Sequence, residues 1–354
     1  MRTAYFPRLD GIRAIAVGGV LWEHFSGHAN GFGSIGVRIF FVLSGFLITG
    51  ILLNYRKSGA SLQNVAIAFY WRRALRIFPV FYLALIVGAM LGVSAGRVGG
   101  LMDLAFLTNI HVFRIQSWTA TSHLWSLAVE EQFYLLAFPL IFFVPGKRLV
   151  ACLTAICALS FGFDAVMSAL GFQYFTILLP GAAHGLAAGA LLACAQHKKP
   201  TWRDHLSRLT SGRVMAASVI LSGLCIWLQP GGGTLRLLTL ILATDVMAIC
   251  LITRGVGDGH AWKWLAHPAM TYIGQISYGL YVYHIFVKEI AFKFFPLFAE
   301  TPTWISGPIL ASASVAIASL SWLYFEQPIL RHKSRFPKDD SAAEVAQQSA
   351  QVKQ

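Results

Sequence analysis

Apolar stretches long enough to cross a lipid bilayer dominate this sequence of 354 residues. Hydrophobic side chains make up 56% of the chain and charged side chains only 12%, whereas roughly a quarter of the residues in soluble globular domains are charged. A helix needs about 20 predominantly apolar residues to span the hydrocarbon core. The sequence therefore predicts an all-α, polytopic integral membrane protein and argues against a water-soluble fold.

Ten such stretches are bounded by charged residues, glycine or proline, and they predict a bundle of about ten transmembrane helices. They cover residues 12–27, 34–53, 75–93, 123–144, 149–169, 175–195, 213–229, 236–253, 272–294 and 304–326. A long external loop follows the third stretch, and its residues 101–113 are too few to span, which indicates a re-entrant or interfacial element. We expect one membrane domain over residues 1–330 and a mobile, polar cytoplasmic tail over residues 331–354.

The 28 lysines and arginines give the chain a net charge of +13, and most of them fall in alternate loops. Basic residues accumulate on the cytoplasmic side of membrane proteins, so this distribution predicts that both termini are cytoplasmic. The basic residues are spread among short loops instead of being gathered on one face. A nucleic-acid partner is therefore not expected, and the lipid bilayer is the expected surrounding.

Several predicted helices carry ionisable side chains, which cost at least about 2.5–3.5 kcal/mol at the centre of a bilayer and normally face a bundle interior or a cavity. On the first helix, Arg13 and His24 are eleven residues apart. This spacing places them on one face and separates them by roughly 16 Å along the axis, comparable to a phosphopantetheine arm. That face fits the anionic end of a substrate at Arg13 and its reactive end at His24. Pairing of Arg13 with Asp10, one turn away, explains the same arginine.

Three arginines, Arg72, Arg73 and Arg76, lie at the cytoplasmic start of the third predicted helix. Guanidinium groups bind phosphate bidentately, so the cluster is a candidate anion site, and a topology signal is the alternative. Ser44 and Gly45 supply small residues within the second helix. They fit either a binding surface or close packing between helices.

Two further helices carry polar side chains at helical spacing. Ser126 and Glu130 are one turn apart in the fourth helix, just after His123, and a carboxylate there is a candidate partner for a histidine. In the ninth helix, Tyr281 and His284 form part of a polar seam. The alternatives are a buried polar cluster that ties helices together and an aromatic belt at the membrane interface.

Six segments, in this order along the chain, resemble the acyltransferase 3 family of bacterial membrane acyltransferases. They are LDGIRAIAVGGVLWEH (9–24), FFVLSGFLIT (40–49), WRRALRIFPVFY (71–82), HLWSLAVEEQFYLLAFP (123–139), ISYGLYVYHIF (276–286) and YFEQPILR (324–331). The resemblance implies a ten-helix O-acyltransferase of the bacterial inner membrane. Such an enzyme takes an acyl group, usually acetyl, from cytoplasmic acyl-CoA to a hydroxyl of an envelope carbohydrate or glycolipid. It also implies the stand-alone form, without an extracytoplasmic esterase-like domain.

The resemblance further implies that Arg13 and His24 are the essential pair and that the arginine cluster lies near the donor, acetyl-CoA. His24 is then the candidate general base on the acceptor hydroxyl, and Glu130 is the candidate that orients its imidazole. No metal is required. Arg38 stands where many relatives carry an acidic residue. The remaining candidates divide between the two substrates, with Ser44 and Gly45 for the donor and His123, Ser126, Tyr281 and His284 for the acceptor.

Three other functions fit the same residues. A proton-coupled secondary transporter of a small polar solute also needs His, Glu and Asp within the membrane. Acylation of a macrolide-type secondary metabolite is compatible with the family, and a non-catalytic membrane scaffold is the third reading, which predicts that His24→Ala is tolerated. The sequence does not identify the acceptor, the acyl chain length or the oligomeric state.

Overall fold

The computed structural model describes residues 6–27, 31–59, 61–93, 100–197, 210–228, 233–257 and 260–332. Within these ranges the secondary structure is helical, without a β-strand, which confirms the all-α prediction. Residues 333–354 of the expected tail lie outside the described residues.

The described ranges contain fourteen α-helices. In chain order they are α1 (Pro7–Phe25), α2 (Phe32–Ser58), α3 (Leu62–Met90), α4 (Gly100–Leu104), α5 (Thr108–Ile115), α6 (Trp125–Phe143), α7 (Gly146–Ala169), α8 (Leu179–His197), α9 (Gly212–Trp227), α10 (Gly233–Val256), α11 (Pro268–Phe294), α12 (Pro296–Glu300), α13 (Thr303–Ser321) and α14 (Gln327–Arg331). Three 3₁₀ segments lie at Ser122–Leu124, Phe175–Ile177 and His260–Ala266, and a π-helical turn at Trp322–Glu326 joins the last two helices.

Each of the ten predicted stretches coincides with one of the long helices in the described ranges. The two short helices α4 and α5 occupy the predicted interfacial element and are too short to span a membrane. Six helical regions are long and apolar enough to cross a membrane by themselves, namely Phe32–Ser58, Leu62–Met90, Ser122–Phe143, Gly146–Ala169, Gly233–Val256 and Thr303–Arg331. The number of ten spans therefore stays a prediction.

The third helix begins earlier than its apolar stretch indicates. Ser61 caps α3, because its side chain accepts a hydrogen bond from the backbone N–H of Asn64 at 3.3 Å. The first turns are polar or amphipathic, so hydropathy alone does not reveal them. Arg72, Arg73 and Arg76 consequently lie within α3, about three turns from its start, and not at its beginning.

Helices α2 and α8 pack with their backbones in close approach because glycines face the neighbouring helix. A Cβ atom added to Gly45 lies 2.0 Å from the carbonyl oxygen of Leu186, and one added to Gly189 lies 1.9 Å from that of Val42. Small residues are what such interfaces in membrane bundles require. Gly45, expected as a candidate for donor binding, thus belongs to this helix interface.

Helix α1 packs between α2 and α11, and α6 packs against α2 from the other side. A close approach also joins α1 to α11, because a Cβ atom at Gly274 lies 2.0 Å from the carbonyl oxygen of Asp10. The face of α1 that carries Arg13 and His24 is therefore turned into the bundle. Helices α1, α2, α6 and α11 surround the central space where the polar candidates collect.

The α2–α8 contact generates a stability prediction. We expect Gly45→Ala to destabilise the folded protein by about 1–3 kcal/mol, because the new methyl group meets backbone atoms that cannot rotate away. The matched control is Gly50→Ala in the same helix, where an added Cβ atom has no neighbour within 4 Å. Thermal unfolding in detergent, followed by size-exclusion chromatography, measures both variants. Equal melting temperatures for the two variants would contradict the close approach.

Candidate functional site

Two cavities lie end to end between α1, α2, α6 and α11. The inner cavity, bordered by arginines, has a volume of about 100 Å³, and the outer cavity has a volume of about 690 Å³. Val37, Phe41 and Tyr281 line both cavities. These three side chains therefore form the wall that separates the two spaces.

The inner cavity is lined by an unusual concentration of polar side chains. They are Arg13 of α1, Ser44 of α2, Arg73 and Arg76 of α3, Ser126, Glu130 and Tyr134 of α6, and Ser277, Tyr278 and Tyr281 of α11. Nη1 of Arg13 donates to Oδ1 of Asp10 at 2.7 Å, so the pairing considered as the alternative does form. The same side chain still lines the cavity, and the two interpretations of Arg13 are compatible.

Arg73 lines the inner cavity and has a buried donor without a hydrogen-bond partner among the described residues. Its Nε atom is buried without a hydrogen-bond partner in the described part of the chain. Its guanidinium carbon lies 5.9 Å from the ring centre of Phe69 and 5.7 Å from that of Tyr134, as in a cation–π contact. Arg76 lines the same cavity. Together these arginines supply the donor geometry that a phosphate or a carboxylate accepts.

Arg72 does not join the other two arginines. It lines neither cavity, and its Nη1 atom donates to the hydroxyl of Tyr55 on α2. On α3, the side chains of Arg72 and Arg73 leave the helix about 100° apart, and Arg76 lies between them, about 40° from Arg72 and about 60° from Arg73. Two of the three predicted donor-binding arginines therefore reach the cavity, and the same holds for Ser44 but not for Gly45.

Glu130 faces the arginines of the inner cavity and not His24. Its Oε2 atom accepts a hydrogen bond from the Tyr134 hydroxyl at 2.7 Å, and that hydroxyl lies 3.3 Å from Oγ of Ser44. His123, at the start of the same segment, lines the outer cavity with His24, whereas Glu130 lies seven residues, or about 10 Å, further along the axis. The structure therefore does not support Glu130 as the group that orients His24.

His24 lines the outer cavity near the end of α1. Its Nδ1 atom lies 2.8 Å from the carbonyl oxygen of Val20 and 3.3 Å from Nε2 of His284. In turn, Nδ1 of His284 lies 2.6 Å from the carbonyl oxygen of Tyr281. A carbonyl oxygen can only accept a hydrogen bond, so in the neutral rings of His24 and His284 the Nδ1 atom carries the proton. The Nε2 atom of His24 then keeps a lone pair that is available for a proton.

His284 occupies the position that was expected for Glu130. It is fully buried, and its ring lies against that of His24 with centroids 4.9 Å apart and planes at 65°. One turn further along α11, Nζ of Lys288 donates to the backbone carbonyl of His24 at 3.1 Å. These contacts fix the end of α1 on α11. They hold one tautomer and one orientation of the candidate base.

The remaining acceptor candidates form a short hydrogen-bond chain at the wall between the cavities. Oγ of Ser126 donates to the hydroxyl of Tyr281 at 2.7 Å, and that hydroxyl donates to the carbonyl of His123 at 2.6 Å. Nε2 of His123 lies 3.0 Å from the carbonyl oxygen of Val282, and its ring centre lies 5.2 Å from that of His284. The structure thus brings His123, Ser126, Tyr281 and His284 together beside His24.

A second polar cluster supports the outer cavity from behind. Arg38 lines that cavity, and its Nη1 atom lies 3.0 Å from Nε2 of His184 on α8. Nδ1 of His184 lies 2.5 Å from Asp245 on α10, and its Nε2 lies 3.7 Å from Asp164 on α7. These three partners are buried. The positive charge of Arg38, at a position that is often acidic in the family it resembles, is therefore matched by acidic residues of other helices.

The outer cavity also contains residues that were not singled out as site candidates. Trp118, Trp125 and Tyr174 line it together with Glu23 and Glu289. The two glutamates were visible only as ionisable residues in apolar helices. Trp118 and Tyr174 lie between helices, where no periodic pattern marks a functional face. Among the described residues, no group of three or more His, Cys, Asp and Glu side chains could hold a metal ion.

Comparisons with known proteins show which family this chain resembles. A family model described as an acyltransferase domain matches residues 6–323. The peptidoglycan O-acetyltransferase OatA of Listeria monocytogenes is 30% identical to this chain. The match covers 93% of this chain and 56% of that relative. A protein of Bacillus subtilis, provisionally named a peptidoglycan O-acetyltransferase, is 28% identical over 92% of this chain and 55% of its own length. A protein of Staphylococcus aureus, provisionally named an O-acetyltransferase, is 26% identical over 92% of this chain and 57% of its own length.

The chain thus spans about half the length of the curated relatives that it matches. No solved structure gives a significant match.

The accessibility of His24 can be tested chemically. We expect diethyl pyrocarbonate to modify His24 faster than His123, His184 or His284, because the His24 side chain is only partly buried and lines a cavity, whereas the other three side chains are buried. Peptide mapping by mass spectrometry at short reaction times measures the four rates. His332, which is exposed at the end of α14, serves as the reference for an accessible histidine. Equal rates for His24 and His284 would contradict the assigned arrangement.

Proposed function

The chain belongs to the acyltransferase 3 family, and from that premise we propose that it is a membrane O-acyltransferase. In this proposal it moves an acyl group, most simply acetyl, from cytoplasmic acyl-CoA to a hydroxyl of a cell-envelope carbohydrate. One observation carries the proposal: arginines line one cavity, and a histidine with an available ring nitrogen lines the next cavity across a thin wall. The names of the relatives, which include peptidoglycan O-acetyltransferases, support the choice of a carbohydrate acceptor.

The proposal places ten helices across a bacterial inner membrane, with both termini in the cytoplasm. Six helical regions are apolar enough by themselves, and α9 is a shorter apolar helix. Helices α1 and α11 are less apolar because they turn ionisable side chains toward the cavities. The positive-inside rule puts the α3 arginines near the cytoplasm. The inner cavity then faces the donor side, and the outer cavity faces the envelope.

Donor binding is assigned to Arg13, Arg73 and Arg76, whose guanidinium groups suit the phosphates of CoA. The pantetheine arm then extends along α1 toward His24, over the roughly 16 Å that separate Arg13 from His24 along the axis. The inner cavity of about 100 Å³ is smaller than the roughly 300–1,000 Å³ of pockets that enclose a small-molecule ligand. Binding therefore requires this cavity to widen and the wall of Phe41 and Tyr281 to open.

In the transfer step, Nε2 of His24 accepts the proton of the acceptor hydroxyl while the hydroxyl oxygen attacks the thioester carbonyl. A carbon–oxygen bond forms, the carbon–sulfur bond breaks, and the proton held by His24 passes to the departing thiolate of CoA. General-base catalysis of this kind contributes roughly 10²–10⁴ in rate. His284 is the positioning residue that holds the His24 ring. The alternative is a mechanism in two steps. His24 first attacks the thioester and releases the thiolate of CoA, and the acceptor hydroxyl then takes the acyl group from the acyl-histidine.

The catalytic assignment predicts the behaviour of His24→Ala. We expect this variant, reconstituted in proteoliposomes at matched folded yield, to lose at least about 10² in the rate of transfer from radiolabelled acetyl-CoA. His332→Ala is the control, because that histidine is exposed and lines neither cavity. Wild-type turnover in His24→Ala would contradict the assignment. A wild-type protein that never consumes acetyl-CoA, but takes up a labelled solute along a proton gradient, would support the transporter instead.

The donor assignment predicts a contrast between two adjacent arginines. We expect Arg73→Gln to raise the KM for acetyl-CoA by about tenfold, the effect of losing a charged hydrogen bond worth about 1.5 kcal/mol. Arg72→Gln should keep a KM close to wild type, because Arg72 donates to Tyr55 and lines neither cavity. Steady-state kinetics over a range of acetyl-CoA concentrations measures both. The donor site is wrongly placed if Arg72→Gln shows the larger effect.

A further inference from the structure

Two aromatic residues of the outer cavity have no part in the transfer step. Trp118 and Tyr174 both line this cavity, and their rings meet edge to face with centroids 5.4 Å apart and planes at 78°. Trp118 is 53% exposed although it sits beside a cavity of about 690 Å³. We propose that Trp118 and Tyr174 form a stacking subsite for an uncharged pyranose ring of the acceptor. This inference rests on the proposed function and specifies the acceptor.

The loop that carries Trp118 is fixed by a buried carboxylate. Asp103, only 4% exposed, accepts hydrogen bonds from Thr108 at 2.8 Å and from Thr121 at 2.7 Å. These bonds tie the residues on both sides of Trp118 to helix α4. The exposed indole therefore lies in a segment that is anchored on both sides, and little conformational freedom is lost when a ligand stacks on it.

The backbone of Tyr174 adopts an uncommon conformation. Its φ angle is +55° and its ψ angle is 11°, in the left-handed region that residues with a side chain rarely adopt. Gln116, in the facing loop, also has a positive φ angle, and its side chain reaches the carbonyl of Gln173 at 3.5 Å. Such conformations persist where the surroundings determine them, and they collect at ligand sites. The two loops thus aim both rings at one space.

The lining of the outer cavity suits a sugar ring with polar edges. The face of an aromatic ring carries negative charge and attracts the C–H groups on one face of a pyranose, while the hydroxyls around the sugar need acceptors and donors. Glu23 and Glu289 supply carboxylates, and Ser34 and Thr176 supply hydroxyls, on the same cavity wall.

The charged side chains that line the outer cavity favour an uncharged sugar over an acidic one. The guanidinium of Arg38 is the cation on this wall, and it already contacts His184, which is bound to Asp245. Two carboxylates, those of Glu23 and Glu289, line the same cavity beside this one guanidinium, and Glu23 also accepts a hydrogen bond from the backbone N–H of Gly33. A uronic acid or a phosphorylated sugar would bring a further negative charge next to them, and like charges repel strongly where water is partly excluded.

The test is direct binding of soluble tetrasaccharides to the full-length protein in lipid nanodiscs, by isothermal titration calorimetry. The neutral probes are N-acetylchitotetraose, cellotetraose and maltotetraose, and the anionic probe of equal length is tetragalacturonate. We expect the wild type to bind at least one neutral probe and to bind tetragalacturonate more weakly. Trp118→Ala and Tyr174→Ala should each weaken that binding by about tenfold, whereas Trp118→Phe and Tyr174→Phe should retain most of it.

The control variant is Trp304→Ala, since Trp304 is 75% exposed and lines neither cavity. Three results would overturn the subsite: no binding of any neutral probe, unchanged binding in Trp118→Ala and Tyr174→Ala, or tighter binding of tetragalacturonate. Consumption of acetyl-CoA by the same preparations reports separately on the proposed function. If the subsite alone is wrong, the wild type still consumes acetyl-CoA; if the function is wrong, it does not, whatever sugar it binds.

Discussion

The cost of placing ionisable side chains in hydrocarbon is the constraint on which this bundle depends. It is met by contacts between helices that are far apart in sequence. His24 of α1 meets His284 of α11, and the end of α1 is bound by Lys288. Arg38 of α2 meets His184 of α8, which in turn contacts Asp245 of α10. Each contact removes a polar group from lipid and fixes one helix against another.

These polar contacts can form only because the helices approach closely. Gly45 and Gly189 bring the backbones of α2 and α8 together, and Gly274 does the same for α11 against α1. Within the described part of the chain, two cavities lie where polar side chains converge between these helices. Guanidinium groups of arginines line the inner cavity, and the imidazole of His24 lines the outer cavity.

The sequence was sufficient for features that depend on local periodicity. Apolar stretches predicted the long helices, and helical spacing placed Arg13 and His24 on one face. The sequence did not predict features that depend on the rotation of a helix or on pairing between helices. The rotation of α3 selects Arg73 over Arg72 for the cavity, and the partner of His24 is a residue 260 positions away that no local pattern links to it.

Two further differences between the sequence-based predictions and the structure also have physical reasons. Gly45 satisfied the pattern of a small residue at a site, but the neighbouring backbone of α8 uses that space. Trp118 and Tyr174 lie between helices, where the chain has no period that distinguishes a ligand-facing side chain from a solvent-facing one. The six motif segments, by contrast, identified the family correctly because they combine residue type with order along the chain.

In the proposed function, donor and acceptor meet from opposite sides of the membrane, through two cavities with a common wall. It is tested most directly in proteoliposomes of uniform orientation, with a neutral glycan trapped inside and radiolabelled acetyl-CoA added only outside, on the cytoplasmic face of the protein. The account predicts that the trapped glycan becomes labelled, and that His24→Ala abolishes the labelling. Labelling only when the glycan and acetyl-CoA share one side of the membrane would contradict it.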